Sequence, residues 1–159
     1  FLIGSRAREH PGLVARIRAA GHEIGNHMMR DRPTVFFSDE RFARELERAE
    51  AILGLDGPRK PFRPPSSWIR GGQLDVLAER GYRCCLGSVY PHDTKHSSAA
   101  FSAWFVLAKV RPGDVIILHE GGEGRREIVD VLARVLPELV ARGYEVVTLG
   151  ELLARADEG

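Results

Sequence analysis

Gly21-His22-Glu23-Ile24-Gly25-Asn26-His27, followed four residues later by Asp31, and Val115-Ile116-Ile117-Leu118-His119-Glu120-Gly121 are the stretches from which the fold of this chain is read. Each passes from apolar or mixed residues, suited to a buried strand, directly into imidazole and carboxylate groups. An α/β barrel presents its chemistry in this way, where parallel strands end and the βα loops begin.

Outward from these two stretches, strand and helix patterns alternate. Phe1-Leu2-Ile3-Gly4 reads as the end of a buried strand. A helix is expected over 9–20, with Leu13, Val14 and Ile17 at helical spacing and Gly21 as its stop. Residues 23–26 form a short strand, and Ser38 or Asp39 caps a helix that Gly54 ends. Pro61-Phe62-Arg63 is a brief extended piece before a helix from Gly71 or Gly72 to Gly81. Residues 82–89 are the next strand. A helix follows from Ser97 or Ser98 through Phe101, Trp104, Phe105 and Ala108, then the strand 114–118. The helix holding Ile128, Val131, Leu132, Val135, Leu136 and Leu139 should kink or split at Pro137. A strand over 145–148 and a helix over 149–156 close the chain. Six strands, each separated from the next by a helix or a long loop, argue for parallel pairing with crossover helices. An open doubly wound sheet and part of a barrel both satisfy that pattern.

The 159 residues suit one core, and 43% hydrophobic with 28% charged residues is ordinary for a globular chain. A formal net charge of +1 gives no global field to attract nucleic acid or an anionic membrane surface. No apolar run approaches the roughly 20 residues needed to span a bilayer. The adjacent Cys84 and Cys85 would point to opposite faces of a strand, so they read as reduced, packed thiols.

His27 and Asp31 stand four apart, and a helical turn between them would aim both at one divalent ion; imidazole with carboxylate suits zinc, cobalt or nickel. His119, at the exit of a buried strand, is placed as a general acid or base. Arg63, held before Pro64-Pro65, can pair with or orient a carboxylate. Asp93 can orient and charge-balance a histidine. Trp68 and Tyr90, in strand-exit loops, are candidates to pave a sugar groove, whereas Trp104 lies on an apolar helix stripe and reads as core. His22 precedes its strand and is taken as structural. Gly121-Gly122-Glu123-Gly124 lacks the Lys-Ser/Thr of a phosphate loop.

Taken in order, the Gly21–His27 stretch with Asp31, then Phe62-Arg63-Pro64-Pro65, then Asp93, then Ile117-Leu118-His119-Glu120-Gly121 resembles the polysaccharide deacetylase family, the NodB-homology domains of carbohydrate esterase type. The resemblance runs over nearly the whole chain and implies one domain over 1–159. The implied fold is α/β, a distorted barrel of seven parallel strands with outer helices, whose first strand would lie ahead of Phe1 and carry an Asp-Asp-Gly motif. No Asp-Asp pair occurs in the sequence. Without that motif the 159 residues alone are expected to be inactive.

Carried over residue by residue, His27 becomes a ligand of a divalent metal, zinc first, with Asp31 where the family usually has a second His. Arg63 would hold the base, Asp93 would tune His119, and His119 would be the general acid. Ile117 and Leu118 would neighbour the pocket for the acetyl methyl group. Thr94 stands where the family often has an aromatic residue. The implied activity is metal-assisted removal of acetyl groups from N-acetylated sugars of a poly- or oligosaccharide. Two alternatives remain open at this point: an inactive barrel that only binds glycan, and the same fold acting on a small cyclic or linear amide. The expected partner is an N-acetylated glycan; compartment and oligomeric state are left open.

Overall fold

The computed structural model describes residues 1–94, 98–120 and 127–157. They fall into two compact units, Phe1–Leu86 with Thr148–Gly150, and Gly87–Val147 with Glu151–Gly159.

In the first unit, four extended segments run parallel. Leu2 bridges Asn26, Asn26 bridges Phe62, and β1 (Lys60–Phe62) pairs with β2 (Tyr82–Cys84) in the register Lys60↔Tyr82, Phe62↔Cys84. The backbone bonds Leu2 N–H to Gly25 O (2.9 Å), Asn26 N–H to Pro61 O (2.9 Å) and Cys85 N–H to Phe62 O (2.7 Å) carry the pairing along. Helices connect the segments: α1 (Gly4–Glu9) and α2 (Pro11–Ala19), then α3 (Asp39–Leu53), then α4 (Gly71–Glu79). The α3 ends follow from its sequence. The Ser38 side chain accepts the Arg41 N–H, Asp39 and Glu40 favour the positive end of the helix dipole, and Gly54 takes the left-handed cap at φ 59°. Its buried face, Phe42, Leu46 and Ala49, repeats at three to four residues; Phe42 and Leu46 meet Phe62, Leu77 and Tyr82 in the core. Ala7, Ile24 and Leu53 form a smaller cluster with Leu2, Val14 and Ile17.

Among the described residues of the second unit, Val89 makes a parallel bridge to Ile116, with α5 (Ala99–Lys109) in the connection. Ser98 caps α5 by accepting the Phe101 N–H at 3.2 Å. Val106 of α5 packs with Val89 and with Val131, Val135 and Leu139 of α6 (Ile128–Ala141). The last helix is α7 (Leu149–Asp157).

Several elements differ from the sequence expectation. Gly4 opens a helix, because its N–H and that of Ser5 donate to Met28 O and Met29 O rather than to a strand neighbour. The helix expected over 9–20 is broken at His10 (φ −132°, ψ 58°), and Pro11, which cannot donate a backbone bond, starts the second piece. Among the described residues, ladder pairing over 82–89 is formed at Tyr82–Cys84 and as a bridge at Val89, with a gap between, and 145–148 carries no ladder. Pro137 does not split α6: Val131, Val135 and Leu139, buried on both sides of it, hold the two halves to one core. Trp104 is 60% exposed; Ser102, Ala103 and Val106 are the buried residues of α5. Of the glycine-rich run, 121–124, and of Ser97 nothing is described, since both lie outside the described residues.

Candidate functional site

Each unit carries one cluster of the residues singled out from sequence. In the first, the Leu2–Asn26–Phe62 pairing ends at His27, whose N–H donates to Leu2 O at 3.0 Å. The next residue, Met28, is buried with φ 62°, a left-handed conformation that costs a non-glycine residue about 1–2 kcal/mol. Asn26 holds this turn. It is fully buried; its Oδ1 accepts the Met28 N–H (2.8 Å), and its Nδ2 donates to Leu46 O (3.1 Å) and Tyr82 Oη (3.0 Å). The Tyr82 hydroxyl in turn donates to Glu50 Oε2 (2.6 Å), which also pairs with Lys60 Nζ (3.1 Å). Burial, then the Glu50 contact, pushes the Tyr82 pKa well up, so the hydroxyl stays a donor. Every polar group of Asn26 thus has a partner, as a buried amide requires.

The His27 ring is fixed from its far side. Nδ1 lies 2.7 Å from Arg63 O, a carbonyl that can only accept, so the proton is on Nδ1 and Nε2 keeps its lone pair. Nε2 lies 3.9 Å from Asp31 Oδ1. That gap is too long for a hydrogen bond, and the two groups, an imidazole nitrogen and a carboxylate oxygen, are donor types that a divalent ion takes. Burial lowers the His27 pKa; the Arg63 carbonyl and Asp31 oppose it without reversing it. A neutral imidazole, tied through its other nitrogen to a carbonyl, is the state of a metal-ligating histidine. Asp31 is half exposed. The residue types present suit a divalent ion that His27 and Asp31 could hold; among the described residues there is no cluster of three or more His, Cys, Asp or Glu around a common point.

Arg63 follows β1 and is held by Nε donating to Cys85 O (3.1 Å) and by its guanidinium lying 4.0 Å from the Phe1 ring centre. Burial lowers its pKa. Cys84 and Cys85 form no disulfide with one another, and burial pushes both thiols up. Trp68 is 60% exposed, just past a tight turn over Pro65–Ser67.

In the second unit, Asp93 grips His119 twice. Oδ2 accepts the His119 backbone N–H at 2.6 Å and Oδ1 faces the ring Nδ1 at 3.0 Å. The carboxylate side chain is 10% exposed and the imidazole 35%. Nδ1–H pointing at the carboxylate leaves Nε2 as the nitrogen available for proton transfer. The Tyr90 ring meets the His119 ring edge to face at 5.4 Å, and its hydroxyl bonds Thr94 Oγ1 at 2.8 Å. Ile117 is buried against Gly87, while Ile116 and Leu118 lean on the apolar cluster of α5 and α6.

Among the sequence candidates, His27, Asp31 and Arg63 therefore gather in one unit, and Asp93, His119 and Tyr90 in the other. What the sequence reading misses is Asn26 with Tyr82 and Glu50. The available signal was an amide inside a strand whose neighbours are buried, a position that demands partners.

The polysaccharide deacetylase family matches residues 1–85. A peptidoglycan-N-acetylglucosamine deacetylase of Bacillus cereus is 34% identical over 96% of this chain and 73% of its own length. The crystal structure of a peptidoglycan N-acetylglucosamine deacetylase superposes with a TM-score of 0.90 at 32% identity, covering 96% of this chain and 72% of that one. A family 4 acetyl xylan esterase from Clostridium thermocellum, in complex with a cobalt ion, gives 0.86 at 25% identity over 96% and 74% of the two chains. The chain belongs to the polysaccharide deacetylase family, and with it to the deacetylase-type amidohydrolases.

Proposed function

We propose that this chain serves a divalent-metal-dependent N-deacetylase activity toward acetylated amino sugars of a glycan, carried on a distorted β/α barrel. The observation that carries the reading is the state of His27: neutral, with Nδ1 spent on Arg63 O and Nε2 turned 3.9 Å from Asp31. The cobalt ion of the acetyl xylan esterase supports a divalent metal.

His27 and Asp31 hold the ion, which when bound polarises the acetamide carbonyl and acidifies water. Arg63, immobilised by Cys85 O, is assigned to orienting a carboxylate partner. Asp93 holds the Nδ1–H of His119, so that Nε2 delivers a proton to the departing amine as the C–N bond breaks. Acetate and a free amino sugar leave. Trp68 and Tyr90 are assigned to the sugar rings, and Ile117 and Leu118 to the acetyl methyl.

The test is acetate release by the intact protein from N-acetylglucosamine oligomers and from peptidoglycan, with zinc or cobalt and after chelation. Release that stops on chelation, returns with metal and disappears in His119→Asn is expected. No release from either glycan with metal bound would overturn the reading.

A further inference from the structure

Residues 90–94 form a short hook beside His119. The Tyr90 ring meets the His119 ring at 5.4 Å, its hydroxyl bonds Thr94 Oγ1 at 2.8 Å, and Asp93 holds His119 through both carboxylate oxygens. His92 is the member of the hook to which the chemistry gives no part. Its residue is exposed, yet its imidazole lies against the Tyr90 ring, centre to centre at 4.4 Å and tilted by 45°. Tyr90 thus touches two imidazoles, the general acid and His92.

The His92 backbone is left-handed, with φ 55°. Residues with a side chain seldom take that conformation, though histidine, asparagine and aspartate take it more readily than the rest. Backbone of this kind gathers at functional sites, where the surroundings impose it. Here it stands between Pro91, which is buried and whose ring fixes its own φ, and Asp93. Around this residue the chain turns so that one side chain returns to Tyr90 while the next reaches His119. An exposed imidazole adds little to the core; what its stack restrains is the Tyr90 ring.

That restraint matters to the acid. Asp93 fixes the Nδ1 side of His119, but a ring held at one nitrogen can still pivot about that bond. A proton donor must be aimed to within about 10–20° to act. The Tyr90 ring is the second contact that limits the pivot, and it does so only if it is itself held. We infer that His92 is a positioning residue: by stacking on Tyr90 it holds that ring against His119, and so keeps Nε2 of His119 aimed at the departing amine. The role of His119 rests on the deacetylase reading; the stack does not.

The test is a cycle of His92→Asn, Tyr90→Leu and the double variant in the metal-supplemented intact protein, with acetate release from chitopentaose resolved into kcat and KM. Asparagine tolerates the left-handed turn and removes only the ring, so thermal melting should be unchanged. In His92→Asn, kcat is expected to fall about three- to tenfold, the worth of one aromatic pair, with KM within about twofold of the parent. His92→Phe, which restores a ring, should recover most of the loss. In the Tyr90→Leu background His92→Asn should cost no further kcat, because its effect passes through that ring. A His92→Asn variant with the parent kcat, a loss carried by KM, a loss that His92→Phe does not repair, or an equal loss in the Tyr90→Leu background overturns the inference. Ring-to-ring nuclear Overhauser effects read the stack without turnover: those between Tyr90 and His119 should weaken in His92→Asn and return in His92→Phe. A parent that releases no acetate refutes the deacetylase reading, and the ring effects then decide the stack alone; if they are unchanged in His92→Asn, it is overturned.

Discussion

Replacing Asp93 by Asn keeps shape and volume but removes one of two acceptors. The carboxylate serves the His119 backbone N–H at 2.6 Å and the ring Nδ1 at 3.0 Å with different oxygens. An asparagine can satisfy one of them. If its carbonyl keeps the backbone bond, its NH2 group faces Nδ1, and the imidazole must place its proton on Nε2 to avoid two donors in contact. Protonating that ring, as a general acid must be, then restores the clash. The lost charge-assisted bond is worth about 1.5–3 kcal/mol, and that loss in the transition state is about 10–150-fold in rate. Because His119 remains 35% exposed, water supplies part of the lost solvation, and the effect should stay below the roughly 10⁴-fold seen for fully buried triads. The assay is metal-supplemented acetate release on one oligosaccharide, with kcat and KM determined separately and folding checked by thermal melting. We expect kcat to fall about 10–150-fold with KM within about twofold. A folded variant whose kcat is within about threefold of the parent would refute the reasoning, since it would show that the second acceptor does nothing for the acid.

Asn26→Ala should cost about 2–4 kcal/mol, measured by urea unfolding, because it strands the buried Met28 N–H behind a left-handed turn and empties a buried amide site. Gly87→Ala should lower stability by about 1–3 kcal/mol in the same assay, since any Cβ there meets Ile117. In the metal-free protein, burial holds the His27 pKa below 6.5, so the folded state takes up its proton later than the unfolded chain. Stability is therefore fully present above 6.5 and declines as pH falls from 6.5 through the folded pKa; an NMR titration should place that midpoint below the free imidazole value, and a midpoint above it contradicts the burial argument.

The candidate site residues stand out in the sequence because polar groups at the ends of apolar runs have few structural uses. His27, Asp31, Arg63, Asp93 and His119 all fall there, and each lies where a chain leaves a parallel pairing or a strand-like run. Element boundaries are less legible. Residues 145–148 have the β-branched pattern of a strand, but a ladder needs a partner, and pairing is a long-range fact that a local pattern does not contain. Pro11 marks a helix start and His10 a break, yet Leu13, Val14 and Ile17 carry helical spacing past both. On α5 the sequence offers Phe101, Trp104 and Phe105 as a stripe, whereas the buried residues are Ser102, Ala103 and Val106, of which Ala103 and Val106 pack with Val131, Val135 and Leu139 of α6. Asn26 escapes notice for the opposite reason: a single amide gives no pattern until Tyr82, 56 residues on, is seen beside it.

The central claim, that His27 Nε2 and Asp31 hold a divalent ion, is tested most directly by calorimetric titration of zinc into the metal-free intact protein and into His27→Gln and His22→Gln. One bound equivalent is expected in the parent and in His22→Gln, and none at that affinity in His27→Gln. Zinc binding that survives His27→Gln unchanged would contradict it.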